Sequence, residues 1–287
     1  MRFELFNHRL LGRHDIVAVD MIHYSGLWGV CFSHHLPNNN HARYAADTTT
    51  EGVLRFLGDT LGSGDDAPFH ALADYTITTH HIDADALLPV WSLLNPEAAL
   101  EQRELLEQVA RCGDFFIYLD DESAKLNFII EALQLKLREV GERGERIIND
   151  DLTARCFDWL LPRWGELLKD PAAGADLWQA PMQEMLGDIE YLSAPGRVTE
   201  LWDHHASLVE TDRKLDAHAL NTVCRNDLLV VWREGSPRRR IDLRPAIGWY
   251  DIQSMPHRPR YDLAALAERL NAAERDAGHA PQWRYEQ

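Results

Sequence analysis

Residues Thr78–Leu88 read Thr-Thr-His-His-Ile-Asp-Ala-Asp-Ala-Leu-Leu and fall between two segments of different periodicity. Ahead lies Ala73-Asp74-Tyr75-Thr76-Ile77-Thr78, short and rich in β-branched and aromatic residues, as strands are. Behind lies Ala86–Leu94, whose apolar positions recur at helical spacing. Two histidines and two aspartates thus occupy a strand-to-helix junction, the place where side chains gather at the carboxyl end of a sheet. Asp83 and Asp85 are two positions apart, and carboxylates held that close repel unless something positive lies between them. A divalent cation answers that need. Imidazole combined with carboxylate oxygen suits manganese first, with iron or zinc as alternatives. The same residues also suit a structural role, with Asp83 or Asp85 capping the helix.

Other stretches supply further donors. Asp15–Asp20 and Leu27–Ser33 read as buried strands, and the second runs into a loop carrying His34, His35 and His41. A helix then begins at Ala46-Asp47-Thr48-Thr49-Thr50-Glu51, capped by Asp47 or a threonine, with Glu51 supporting the first turn. Pro96–Ala110 reads as a helix closed by Gly113 as a C-cap, which leaves Asp114 in the following turn with a path back to the site. Asp203-His204-His205 is a third histidine pair. It suits either further ligands or the exposed face of a helix around Leu201, Trp202 and Leu208.

The remaining organisation follows from periodicity. Glu122–Leu168 is mostly helical with a break near Gly141–Gly144, and Leu126, Phe128, Ile129, Ile130, Leu133, Leu135 and Leu137 offer a core face. Trp178–Glu190 is a further helix. Asp227–Trp232, Arg239–Leu243 and Ala246–Asp251 suggest an antiparallel meander, with a final helix Asp262–Arg275 packing Leu263, Leu266 and Leu270 against it. The expected fold is α/β: a central, largely parallel sheet with flanking helices, then a C-terminal antiparallel β-meander and helix. The expected division is an α/β domain over residues 1–210, with a helical insertion near 140–195, and a smaller α+β portion over 211–287.

A formal charge of −17 repels long polyanions and anionic membranes, so general nucleic-acid binding is not expected and a small-molecule substrate is favoured. Cys31, Cys112, Cys156 and Cys224 form no C-x-x-C pair, as in chains of a reducing compartment. No apolar run approaches the roughly 18 residues of a membrane span, and the N-terminus lacks a signal-peptide core. Cytoplasmic residence is the default expectation, and homo-oligomerisation is left open. Nucleotide-loop, nucleophile-elbow and H-E-x-x-H motifs are missing from the sequence.

The combination of Ala46–Glu51, His80–Asp85, Gly113-Asp114-Phe115 and the tail from His218 through Trp249 to Leu270 resembles an uncharacterised bacterial protein family, over most of the chain except the stretch near 140–195. More remotely, His80-x-x-Asp83-x-Asp85-Ala86 is similar to the first motif of the DHH phosphoesterases and the metal-dependent hydrolases related to them. Asp203-His204-His205 matches their later Asp-His-His string. The expected metal site is a cation held by His80, Asp83 and Asp85, with Asp114 or Asp203-His204 as further ligands.

The expected activity is metal-dependent hydrolysis of a small phosphoester or amide, with His81 as general acid and His34, His35 and Asp47 as additional site candidates. Two alternatives stand beside it. A non-haem iron oxygenase would use two histidines and one carboxylate. A non-catalytic binding protein would use the same residues only to pack and cap.

Overall fold

The computed structural model describes residues 1–21, 29–35, 42–62, 66–140, 150–226, 228–233, 241–245 and 263–280. Strands β1 (Arg2–Phe3), β2 (Ile16–Val19), β3 (Val30–Phe32) and β4 (Thr76–Thr78) form a wholly parallel sheet in the order β1-β4-β2-β3. The three longer strands fall where β-branched runs predict them, while β1 is an addition. The four residues of β2 are all buried. Val17 and Val19 enter the main core, and Ile16 and Ala18 enter a smaller one with Leu10 and Met21 on the opposite face. A strand covered on both sides reads as a continuous apolar run, which is why Ile-Val-Ala-Val shows no alternation. Gly29 is required beside it: a Cβ there would stand 1.9 Å from the Ile16 carbonyl oxygen.

Helices α1 (Thr49–Leu61), α2 (Ala67–His70), α3 (Ala84–Leu94), α4 (Pro96–Glu101), α5 (Arg103–Phe115), α6 (Asp121–Val140), α7 (Asp150–Leu160), α8 (Trp164–Leu167) and α9 (Ala175–Ser193) follow or interleave with these strands. Helices α1, α3 and α5 pack on one another, and α6 joins α5 to α7 and α9. Gly113 does not end a helix as expected but lies inside α5, whose C-cap is Phe116 in the left-handed conformation. The reason is packing: a Cβ on Gly113 would meet Asn127 Oδ1 at 2.5 Å and the Ala84 Cβ at 2.8 Å, so glycine lets α5 lie close to α3 and α6. Cys156, Phe157, Leu160, Trp164 and Leu167 from the stretch read as an insertion belong to the same core as β2 and α3.

Helix α6 serves two cores. Leu126, Ile129, Ile130 and Leu133 face the first, whereas Phe128 packs with Met182, Met185, Val209 and Leu220 in the second, and Leu135 is exposed. The second core backs a sheet of order β5-β6-β7-β8, formed by β5 (Val198–Leu201), β6 (Ala206–Thr211), β7 (Leu228–Arg233) and β8 (Ile241–Pro245). The hairpin β7–β8 is antiparallel, as the meander reading requires. Strands β6 and β7 are parallel, joined through α10 (Ala217–Val223). The expected third meander strand, Ala246–Asp251, lies outside the described residues. So does His41.

Residues 1–255 make one compact unit, and β6 runs across the boundary expected at residue 210. Residues 256–287 make a second unit containing α11 (Leu263–Asp276). Among the described residues no helix is long and apolar enough to cross a membrane, and all four cysteines are free thiols.

Candidate metal centre

Three adjacent parallel strands end at one place. Asp20 follows β2, Ser33-His34-His35 follows β3, and Thr79-His80-His81 follows β4. The amide of Asp20 donates to the Phe32 carbonyl at 2.9 Å, the last rung between β2 and β3. There the backbone turns into the left-handed region, at φ +49°, which Asp tolerates better than most residues. The turn directs the Asp20 carboxylate, 1% exposed, into the crevice beyond the strands.

That carboxylate is the hub. Its Oδ1 accepts the Thr49 hydroxyl at 2.9 Å and lies 3.5 Å from His34 Nε2 and 3.4 Å from His35 Nε2. Its Oδ2 lies 2.9 Å from His81 Nε2, which is also 3.0 Å from Asp83 Oδ2. On the far side of His34, the same Nε2 stands 3.7 Å from Asp85 Oδ2 and 3.5 Å from Asp114 Oδ2. Asp114 reaches in from the last turn of α5, whose close seating depends on Gly113.

Asp83 and Asp85 do not flank one ion between them, as their spacing suggests. Asp83 is the extended N-cap of α3, and Asp85 lies in the first helical turn, so the two side chains diverge. Capping and site roles coexist in Asp83: Oδ1 accepts from the Ala86 amide at 2.8 Å while Oδ2 faces His81. Asp85, fully buried, reaches across to the amino end of α1. It accepts from the Thr49 amide at 2.6 Å, the Thr50 amide at 2.9 Å and the Thr50 hydroxyl at 2.6 Å. These donors and the positive end of the α1 dipole offset part of its charge. Thr48, not Asp47, caps α1 by accepting from the Glu51 amide at 3.2 Å. The Glu51 carboxylate pairs with Arg111.

The electrostatics follow from this crowding. Burial works against the Asp20 charge, but the His35 and His81 contacts prevail and hold its pKa well below the usual value. Burial, and then repulsion from Asp20, pushes Asp85 up against its threonine donors. Burial, Asp85 and Asp20 do the same to Asp114. For His81 burial opposes the cation, yet Asp83 and Asp20 raise its pKa to about 11. His80 is lowered by burial and by His81, whose Nδ1 lies 3.3 Å from its own.

Among the described residues, three groups within this cluster have the spacing to hold a metal ion: Asp20, His34 and His35; Asp20, His81 and Asp83; and His34, Asp85 and Asp114. In each, the donor atoms lie within 4.8 Å of one another. Of the residues expected from sequence, His34, His35, His81, Asp83, Asp85 and Asp114 thus come together. His80 stands beside the cluster and is in none of these groups, nor is Asp47, which is part-buried near the start of α1. Asp203 is exposed in the 3₁₀ turn after β5, in the other sheet, and also belongs to none. The His204 side chain lies outside the described residues. Asp20 was missed, although an acidic residue closing a buried apolar strand is a legible signal.

The fold and this cluster define an α/β protein with a buried histidine–aspartate centre, suited to a metal ion, at the carboxyl ends of a parallel sheet. Residues 3–287 match the model of a family of unknown function (DUF6687), and the chain belongs to that family. No curated protein and no solved structure matches the chain. The resemblance to the DHH phosphoesterases finds no counterpart in these comparisons.

Proposed function

We propose that the protein is a metal-dependent hydrolase acting on a small molecule, a phosphoester or an amide. The observation that carries this reading is the buried Asp20 carboxylate facing His34, His35 and His81 at 2.9–3.5 Å, with Asp83, Asp85 and Asp114 behind them. So many carboxylates at one buried point repel one another, and a divalent cation neutralises them. Mixed imidazole and carboxylate donors suit manganese, with iron or zinc as alternatives. An ion held by these residues would lower the pKa of a bound water towards ~7 and so supply the nucleophile that displaces the ester or amide leaving group, which takes a proton from the protein.

With His81 among the ligands, His80 beside it is the proton donor we assign. Its Nδ1 lies 3.3 Å from His81 Nδ1, which sets it next to the ion those ligands would hold. A formal charge of −17 favours a small substrate over a polyanion. Elemental analysis of the purified protein, followed by assay against small phosphoesters and amides with and without Mn2+, tests the proposal. Activity that depends on the ion and falls in His80→Gln with metal content unchanged is expected. A protein that takes up no divalent ion overturns it.

One group favours a second reading. Asp20, His34 and His35 are two imidazoles and one carboxylate, the donor set of mononuclear non-haem iron oxygenases. Tight binding of one Fe2+, with oxygen consumed on substrate addition, distinguishes that chemistry from hydrolysis.

A further inference from the structure

We propose that the centre is dinuclear and that Asp20 is the bridging carboxylate, its Oδ1 serving an ion held with His34 and His35 and its Oδ2 serving an ion held with His81 and Asp83. This rests on the metal-binding reading above and specifies how many ions that site takes and which residue joins them.

The two oxygens of Asp20 face different partners. Oδ1 has His34 and His35 at 3.5 and 3.4 Å; Oδ2 has His81 at 2.9 Å. The first pair of distances is too long for good hydrogen bonds. It is about the edge of a tetrahedron whose centre lies roughly 2.1 Å from each donor, the usual metal–nitrogen and metal–oxygen length. On the other side, His81 Nε2 lies 2.9 Å from Asp20 Oδ2 and 3.0 Å from Asp83 Oδ2. A single N–H cannot point straight at both oxygens, whereas one ion can sit among the three atoms.

The third group does not add a third ion. It shares His34 Nε2 with the first, and an imidazole nitrogen has one lone pair to give. Asp85 and Asp114 therefore complete the His34 side or balance its charge. Asp20 is different because a carboxylate has two oxygens and can serve two ions. Two ions joined in this way lie about 3.5–4 Å apart in hydrolytic two-metal sites, close enough to grip both the attacking and the leaving oxygen.

The test uses the full chain, stripped with chelator and titrated with MnCl2. Bound metal is counted by elemental analysis, and electron paramagnetic resonance reports coupling between ions. Two equivalents per chain with an exchange-coupled signal are expected for the wild type. His81→Gln and His35→Gln should each retain one equivalent with an uncoupled signal, and Asp20→Asn should lose the coupling. Circular dichroism confirms that each variant is folded, and the wild-type stoichiometry needs no variant. Saturation at one equivalent, or two uncoupled ions, overturns the bridge while leaving a metal-dependent function standing. No binding at all overturns both.

Discussion

Two buried imidazoles, His34 and His218, each lie among carboxylates, and the two surroundings balance charge differently. His34, 1% exposed, has Asp20, Asp85 and Asp114 within 3.5–3.7 Å of one nitrogen. His218, 2% exposed, has Asp216 at 3.4 Å from Nδ1 and Glu131 at 3.7 Å from Nε2, with the Asn127 amide nitrogen 3.3 Å away. In the second cluster two carboxylates share one imidazole, and only Glu131 is raised, mainly by burial and against the pull of His218. Asp216 caps α10 through the His218 and Ala219 amides, and its pKa falls because those donors and the imidazole outweigh burial. In the first cluster Asp85 and Asp114 are pushed up by burial and by their neighbours' charge. A polar cluster whose carboxylates repel is incomplete without a cation; one whose members pair is finished as it stands.

The sharpest way to break this comparison is to add the ion. Mn2+ at a hundred times its dissociation constant stabilises the protein by about 2.7 kcal/mol per site. For a chain of this length that raises the melting temperature by roughly 5–10 °C. Asp20→Asn should shrink the rise, while His218→Gln should leave it intact. A wild-type melting curve indifferent to Mn2+ and to chelator erases the distinction between the clusters.

Gly113 lies between the two, next to Asp114 and against Asn127. An added Cβ meets Asn127 Oδ1 at 2.5 Å and the Ala84 Cβ at 2.8 Å, and both neighbours are buried. Gly113→Ala should therefore cost about 1–3 kcal/mol by overpacking. Because α5 must move away, it should also weaken the Mn2+-dependent rise. Denaturant unfolding with and without the ion measures both; an unchanged midpoint would show that α3 and α6 yield easily.

How much of this was legible beforehand differs by residue. The strands β2, β3 and β4 and the caps of α1 and α3 follow from local chemistry, and so the location of the cluster does as well. Asp20 was hidden because it closes a strand read only for its apolar residues. The choice between His80 and His81 depends on how the chain leaves β4, and no periodicity governs an irregular turn. Asp203-His204-His205 leaves its place open in the sequence because a three-residue string carries no information about place. Its backbone belongs to the turn after β5, an exposed edge strand of the other sheet. Asp85 looked like a cap for its own helix. It meets the amino end of α1 instead, 35 residues away from Thr50 in the chain, and such pairings are invisible to a reading along the sequence.

Removing one carboxylate from each cluster sharpens the contrast by its sign. Asp114 has a raised pKa in the folded protein, so its contribution is favourable at low pH and is lost as pH rises through the folded value. In chelator near neutral pH, Asp114→Asn should gain about 1 kcal/mol by relieving repulsion, yet bind Mn2+ less well. Asp216 has a lowered pKa, so its contribution is present above the unfolded value of 3.8. Asp216→Ala removes the cap of α10 and should lose about 1 kcal/mol, with Mn2+ binding unchanged. Destabilisation by both variants in chelator would mean that the first cluster is as self-sufficient as the second.

The smallest expected effect concerns pH. Burial opposes the charged form of His218, but Asp216, Glu131 and the backbone near Cys112 overcome it, and its pKa rises above 6.5. Glu131 is itself raised, mainly by burial, and faces the same imidazole. A histidine raised on folding stabilises fully below its unfolded pKa, and that stabilisation is lost as pH rises through the folded value. The wild type should thus lose stability above pH 6.5 relative to His218→Gln, by on the order of 1 kcal/mol or less. Taking the difference between the two proteins in chelator cancels the titration of the Asp20 cluster and leaves the contribution of His218 with its partners Glu131 and Asp216. A flat difference from pH 6 to 9 would mean that His218 is neutral in the fold, and the second cluster would then owe its order to hydrogen bonds alone.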